Sequence, residues 1–243
     1  LWLLKKYQLK KSIHGLAIFL ASSTLYNWTG VSMKVSRKML DFAKDGGADK
    51  HPVSRASYRF PLKMHQFMVG EWSIDDDFQD LFDISMHIGD FWPLTIHVLY
   101  SGMVNVELGR YDDLLECRGK IDTIADTFEN SHAIAQNYRL MAPAYYRFRK
   151  LDKCIKTAVD GMEYTGKTGH SAMYLVMAAA KTQAHLLLGE IEKAKESFTE
   201  VENLIKKHKI IKIYYCPYLL AKFQLEFALL KEMGKSDRQF RKQ

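Results

Sequence analysis

One stretch of the chain has a spacing that could carry chemistry. Residues 161–168 read Gly-Met-Glu-Tyr-Thr-Gly-Lys-Thr and match the G-x-x-x-x-G-K-[ST] pattern, whose backbone N–H groups hold phosphates while its lysine and hydroxyl reach the outer phosphates and Mg²⁺. That chemistry needs a buried apolar strand directly before the pattern, whereas residues 152–160 are amphipathic with helical spacing. We therefore predict that Gly161 lies inside a helix. Nucleotide binding through residues 161–168, or anion binding by Lys167 and Thr168, remains an alternative.

Other residue types that carry chemistry are scattered. The nine histidines form no HExxH pair or tight cluster, and no serine lies in a G-x-S-x-G pattern. Cys117, Cys154 and Cys216 are far apart and odd in number, which fits neither a disulfide framework nor a CxxC metal pair. We predict no catalytic residue, no metal and no cofactor, so that this segment is not an enzyme. The cysteine usage predicts a reduced, cytoplasmic protein.

The composition predicts a folded, basic protein. The chain has 243 residues, of which 47% are hydrophobic and 26% charged, so it can bury a sizeable core. Its formal net charge of +7 favours acidic partners, nucleic acid or anionic lipid. The basic residues form local clusters, as in residues 147–150 and in a basic tail at residues 235–243. We expect solvated helix faces there, with a nucleic-acid-binding helical repeat as an alternative.

An uncharged stretch near the start needs its own explanation. Residues 12–33 contain no Lys, Arg, Asp or Glu, and that length could cross a bilayer. The stretch also carries several Ser, Thr and Asn side chains and one His, which make a poor membrane span. We predict a buried helix followed by a turn, and no contact with a membrane.

Turn residues recur along the chain with a period of about 40 residues. One series lies at positions 30, 70, 109, 149 and 189, with Gly at all of them except Arg149. A second series lies at 46–47, 89–90, 129–130 and 169–170. Two turns in each period imply two elements of about 12 to 18 residues, and those lengths are typical of helices.

The apolar positions between the turns have helical spacing. Leu114, Cys117, Ile121 and Ile124 follow one face of a helix. A helix pair of this kind cannot bury its apolar face alone and must stack on its neighbours. The sequence therefore predicts an all-α fold, a right-handed α-α superhelix of about five helix pairs plus a C-terminal helix. We expect a single helical-repeat domain over residues 1–243, with weak repeats at 1–55 and clearer repeats at 56–234.

The turns also carry a family resemblance. Residues 108–113, Leu-Gly-Arg-Tyr-Asp-Asp, and residues 188–194, Leu-Gly-Glu-Ile-Glu-Lys-Ala, resemble the turn of tetratricopeptide repeats. The period, longer than the usual ~34 residues, is similar to the extended repeats of large bacterial signalling proteins: maltose-regulator-type activators, sensor kinases and nucleotide cyclases, in which such repeats follow an ATPase module. The resemblance implies a tetratricopeptide-like solenoid that acts as a regulatory or scaffold segment without catalysis of its own. Adjacent domains of the same longer chain would be among its partners.

The resemblance also implies where a partner binds. In such solenoids the first helix of each pair lines the concave face. This predicts a groove with an apolar end and a basic, aromatic centre, which suits a protein or peptide partner with acidic residues. The predicted partner-binding residues are Phe60, Met64, Phe67, Leu99, Met103, Gln136, Arg139, Tyr146, Arg147 and Gln183.

Overall fold

The computed structural model describes residues 13–73, 78–207 and 214–240, and this part of the chain contains helices and no strands. The all-α prediction is confirmed, as is the number of helices, five pairs and one more within the described residues. The helices are α1 (Ile13–Thr29), α2 (Met33–Asp45), α3 (Pro52–Val69), α4 (Phe78–Ile88), α5 (Phe91–Glu107), α6 (Tyr111–Phe128), α7 (Ser131–Arg147), α8 (Leu151–Thr168), α9 (Ser171–Leu187), α10 (Ile191–Lys207) and α11 (Tyr215–Phe240).

Both predicted series of turns are confirmed, because every helix from α1 to α9 ends one or two residues before a predicted turn position. The backbone at these turns is left-handed, with φ of 73° at Gly109 and 75° at Gly189, which glycine adopts without strain. Two turns use other residues in the same conformation, Glu129 at φ 47° and Arg149 at φ 59°. Within the uncharged stretch near the start, residues 13–30 form α1 and its turn, as predicted, but α1 is only partly buried, with Ile18 and Leu25 45% and 59% exposed. Among the described residues, no helix combines the length and apolar composition that crossing a bilayer requires.

The chain divides into two compact units, residues 1–133 and residues 134–243. In the first unit, α3 packs against α1, α2, α4 and α5, and α5 also packs against α4 and α6. In the second unit, α9 packs against α8, α10 and α11, and α10 also packs against α11. In each unit an odd-numbered helix therefore contacts the next odd-numbered helix and its even-numbered neighbours, which is the packing of stacked helix pairs. The single-domain prediction stays a prediction.

Two odd-numbered helices, α5 and α9, are deeply buried. In α5, seven consecutive residues from 94 to 100 are each at most 4% exposed. In α9, the six residues from 175 to 180 are each at most 7% exposed. Because consecutive residues of a helix point in all directions around its axis, these two helices are covered on every side.

The first unit contains a buried polar network between α1, α2 and α3. The side-chain oxygen of Asn27 accepts a hydrogen bond from Ser36 Oγ at 2.7 Å and lies 3.2 Å from Nδ1 of His65. Asn27 Nδ2 donates to the carbonyl oxygen of Pro61 at 3.3 Å, and the Ser23 and Ser36 hydroxyls are 2.8 Å apart. Asn27, Ser23 and Ser36 are fully buried, so the network satisfies groups that water cannot reach. It joins the three helices through their polar side chains.

The second unit is held together by small residues. Ala178, Ala179 and Ala184 of α9 are fully buried. Gly161 of α8 lies so close to the neighbouring helices that an added Cβ would be 2.4 Å from the sulfur of Met177 and 2.7 Å from Cβ of Tyr138. Small side chains therefore allow α7, α8 and α9 to approach closely.

Candidate binding surface

The predicted groove residues of the first unit lie mostly in its core. Met64 and Leu99 are fully buried and Phe60 is 6% exposed, with its ring 5.3 Å from that of Trp92. Phe67 and Met103 are partly exposed, and the Phe67 ring lies 5.4 Å from that of Tyr100. Burial therefore assigns the first three side chains to packing within the unit. Of the five predicted residues in this unit, only Phe67 and Met103 are accessible to a partner at its surface. Their binding role stays a prediction.

The predicted polar residues of the second unit form specific contacts. Arg139 Nη1 donates to Gln136 Oε1 at 3.1 Å, and the Arg139 guanidinium lies 4.9 Å from the ring centre of Tyr214. Gln136 and Arg139 are both nearly buried, at 1% and 8% exposure. A guanidinium over an aromatic face is attracted by the ring quadrupole, so this contact ties α7 to the residue before α11.

The other predicted residues of this unit are divided between the core and the surface. Gln183 is buried and its Nε2 donates to Gln224 Oε1 of α11 at 2.9 Å. Tyr146 is partly exposed, and Arg147, which is the last residue of α7, is exposed. The structure thus brings Gln136 together with Arg139 and attaches Gln183 to α11.

The phosphate-loop pattern is helical. Residues 161–168 form the last two turns of α8, and the prediction that Gly161 lies inside a helix is confirmed. Lys167 Nζ lies 2.6 Å from Glu163 Oε1, and the Thr168 hydroxyl donates to the carbonyl oxygen of Tyr164 at 3.0 Å. The end of a helix presents carbonyl oxygens, which do not attract an anion. The two residues therefore take part in contacts within α8, and anion binding by them stays a prediction.

The three cysteines differ in accessibility. Cys117 and Cys154 are buried, and burial raises the pKa of each thiol to about 12. Because the thiolate is the reactive form, these two side chains are inert in the folded protein. Cys216, near the start of α11, is exposed. Within the part of the chain that the structure describes, no three His, Cys, Asp or Glu side chains come together as metal ligands would.

A cleft of about 370 Å³ lies in the first unit between α3, α4, α5 and α6. Its charged walls are Lys63, Arg110, Asp113 and Glu116. Lys63 Nζ donates to the carbonyl oxygen of Ser73 at 2.5 Å, and Arg110 pairs with Asp113 at 3.5 Å. With two positive and two negative side chains among its described lining residues, the cleft does not favour a ligand of either charge. Sequence reasoning missed it because four different helices contribute the walls.

The C-terminal helix carries an exposed apolar surface that sequence reasoning also missed. One face of α11 packs in the unit, where Ala221 and Leu225 are buried. Another face, here called the α11 face, consists of large apolar side chains that are 48% to 67% exposed. They are Leu219, Leu220, Phe223, Phe227, Leu230 and Met233. A second apolar stripe in the sequence of α11, offset from the buried one, was the signal that could have revealed it.

The fold and these surfaces define an all-α protein of stacked helix pairs. No protein-family model matches the chain, and a search of curated proteins gives no significant match.

Proposed function

We propose that this chain is a non-catalytic helical-repeat module that binds a protein partner in the cytoplasm. The observation that carries the proposal is a difference between α9 and α11. Both helices are odd-numbered and pack against each other, but α9 is covered on all sides whereas α11 exposes six large apolar side chains in one row. The resemblance of the turns to tetratricopeptide repeats supports the same function.

The size of the α11 face distinguishes it from ordinary surface. Single exposed apolar residues are normal in folded proteins, but a contiguous apolar patch marks an interaction site. Full burial of one such side chain contributes about 1.5–3 kcal/mol. The six side chains are about half to two thirds exposed, so covering them yields free energy of the same order as the cost of association.

The test compares two matched baits. The wild-type chain and the Phe223→Glu variant are immobilised and exposed to a lysate of the source cells, with Val159→Glu as a control. Val159 is 43% exposed on α8 of the same unit and outside the α11 face. We expect Phe223→Glu to lose proteins that the wild type and Val159→Glu both retain. Equal capture by all three baits would contradict the proposal.

The two alternatives make different predictions. Nucleotide binding through residues 161–168 requires a thermal shift with ATP that disappears in Lys167→Ala, and the helical conformation of these residues argues against it. Binding of nucleic acid by the basic clusters requires an affinity that falls steeply with salt concentration. Undetectable or salt-insensitive binding to mixed DNA and RNA would exclude that alternative.

A further inference from the structure

The exposed side of α11 has the spacing of a coiled-coil seam. Cys216, Leu220, Phe223, Phe227 and Leu230 follow one another at intervals of four, three, four and three residues. This alternation is the heptad pattern in which two helices bury a shared apolar stripe. All five side chains are exposed in the single chain.

We propose that the occupant of the α11 face is a second copy of this chain, whose α11 lies parallel to the first. The inference rests on the proposed function and names the partner of the same surface. The pairing is isologous, so the same residues contribute from both copies around a two-fold axis.

The charges beside the seam favour a parallel arrangement. In a parallel coiled coil, a residue at heptad position g, directly before an a position of the seam, faces a residue at position e of the other helix, which is five places further along the sequence. Such g–e pairs set partner choice and orientation. Glu226 precedes Phe227, and the residue five places further is Lys231. A parallel pair therefore places Glu226 of each copy opposite Lys231 of the other, twice over.

Both charges are placed to make this contact. Glu226 has a side chain that is 61% exposed, and its ion pair within α11, with Lys222, is long at 3.9 Å. Lys231 Nζ lies 5.2 Å from the ring centre of Phe227, directly beside the seam. Glu226 and Lys231 lie on opposite sides of the seam. In an antiparallel pair, each side of the seam faces the same side of the other helix, so Glu226 does not face Lys231 and the attraction is lost.

The area of the α11 face approaches that of a stable interface. If a fully exposed side chain of this size offers roughly 150–200 Å², the six exposed fractions give about 600 Å² of apolar surface per copy. A specific interface buries about 800 Å² per partner. The polar side chains along both edges of α11 supply the remainder.

The first experiment measures mass in solution. Light scattering or sedimentation of the chain at tens of micromolar is expected to give twice 28.1 kDa. Phe223→Glu is expected to weaken self-association at least about tenfold, and the Val159→Glu control to leave it unchanged. Circular dichroism checks that both variants remain helical. A wild-type chain at 28.1 kDa, or a folded Phe223→Glu variant that is still a dimer, would overturn the proposal.

The second experiment tests the direction of the helices. Equivalent seam positions face each other only in a parallel pair, so the two Cys216 thiols meet across the axis. Diamide is expected to crosslink the native chain to a dimer on a non-reducing gel, with two thiols losing their hydrogens to the reagent. Cys216→Ser and Phe223→Glu should both abolish the product. A dimer by mass that gives no crosslink would overturn the parallel arrangement.

A charge exchange provides an independent check. Glu226→Lys should weaken the dimer by placing like charges together, and adding Lys231→Glu to it should restore the affinity. No restoration would contradict the pairing of these two residues. The failure of this inference is distinguishable from failure of the proposed function: a monomeric chain that still captures another protein through Phe223 would refute self-pairing and leave the binding module standing.

Discussion

The cores of the two units connect their helices by different chemistry. Between α1, α2 and α3, buried polar side chains hydrogen-bond to one another around Asn27. Around α9, alanines and Gly161 let the helices approach until no space is left for another atom. The first core is therefore sensitive to the loss of a hydrogen-bond partner and to protonation, and the second to added volume. The same stacked-pair packing can fail in two distinct ways.

The largest effect is expected from Asn27→Ala. The substitution removes the partner of the buried His65 Nδ1, and a buried polar group left without a partner costs about 1–3 kcal/mol. It also removes the hydrogen bonds of Asn27 to Ser36, which keeps Ser23 as a partner, and to Pro61, each worth about 0.5–1.5 kcal/mol. We expect the free energy of unfolding, measured by urea denaturation, to fall by about 3 kcal/mol. Thr29→Ala is the control, since this exposed hydroxyl only bonds back to its own helix, and should change stability by less than about 0.5 kcal/mol. A similar small change for both variants would show that the network contributes little.

In the second unit, the corresponding test adds a methyl group to the closely packed core. In Gly161→Ala the new methyl group meets Met177 and Tyr138 at distances that real side chains do not show, so we expect a loss of about 1–3 kcal/mol. Gly166, in the same helix, has open space around its Cα. Gly166→Ala should therefore stabilise the protein by about 0.5–1 kcal/mol through helix propensity. The same Gly→Ala substitution at these two positions of α8 is therefore expected to change the free energy of unfolding in opposite directions. That result would show that close packing against neighbouring helices, and not the conformation of α8, requires glycine at position 161.

The polar core should also respond to pH. Burial lowers the pKa of His65 below its usual 6.5, and Arg37 lowers it further, while Glu71 and Asp41 oppose the shift. Because the unfolded chain then binds the proton more readily, the contribution of His65 is complete above pH 6.5 and is lost as the pH falls below that value. Hydrogen exchange of α1 and α3 at pH 5 and pH 8 measures this loss. In His65→Gln the difference between the two pH values should shrink, and an unchanged difference would assign it to other groups.

The smallest effect is expected at the surface. Lys167 and Glu163 form an ion pair whose side chains are 73% and 67% exposed, so solvent and salt screen their attraction. Lys167→Ala should leave the urea midpoint within the error of the measurement. A shift as large as that of Gly166→Ala would mean that this end of α8 has a structural role that its contacts do not explain.

The period of about 40 residues in the turns was the observation from which the helix boundaries and the number of helices could be predicted. Glycine marks a left-handed turn by its chemistry, but Arg149 and Glu129 adopt the same conformation, and only their positions in the period identify them. The binding residues were harder to predict. Helical spacing shows which residues share a face, and Leu99 does share one with Met103, but it does not show that α5 is covered on every side. Likewise, the two apolar stripes of α11 overlap in sequence, and only the packing separates the buried stripe from the exposed one.

The burial of Asn27 has a consequence for how the protein can be produced. Asn27-Trp28-Thr29 is an acceptor sequence for N-linked glycans. A sugar on Nδ2 would take the place of the hydrogen bond to Pro61, at a side chain that is 0% exposed, so a glycosylated chain could not form this core. In a eukaryotic secretory host, the yield of folded protein would depend on whether Asn27 becomes buried before the glycosylating enzyme modifies it. Thr29→Ala would remove the acceptor sequence while leaving every hydrogen bond of Asn27 intact.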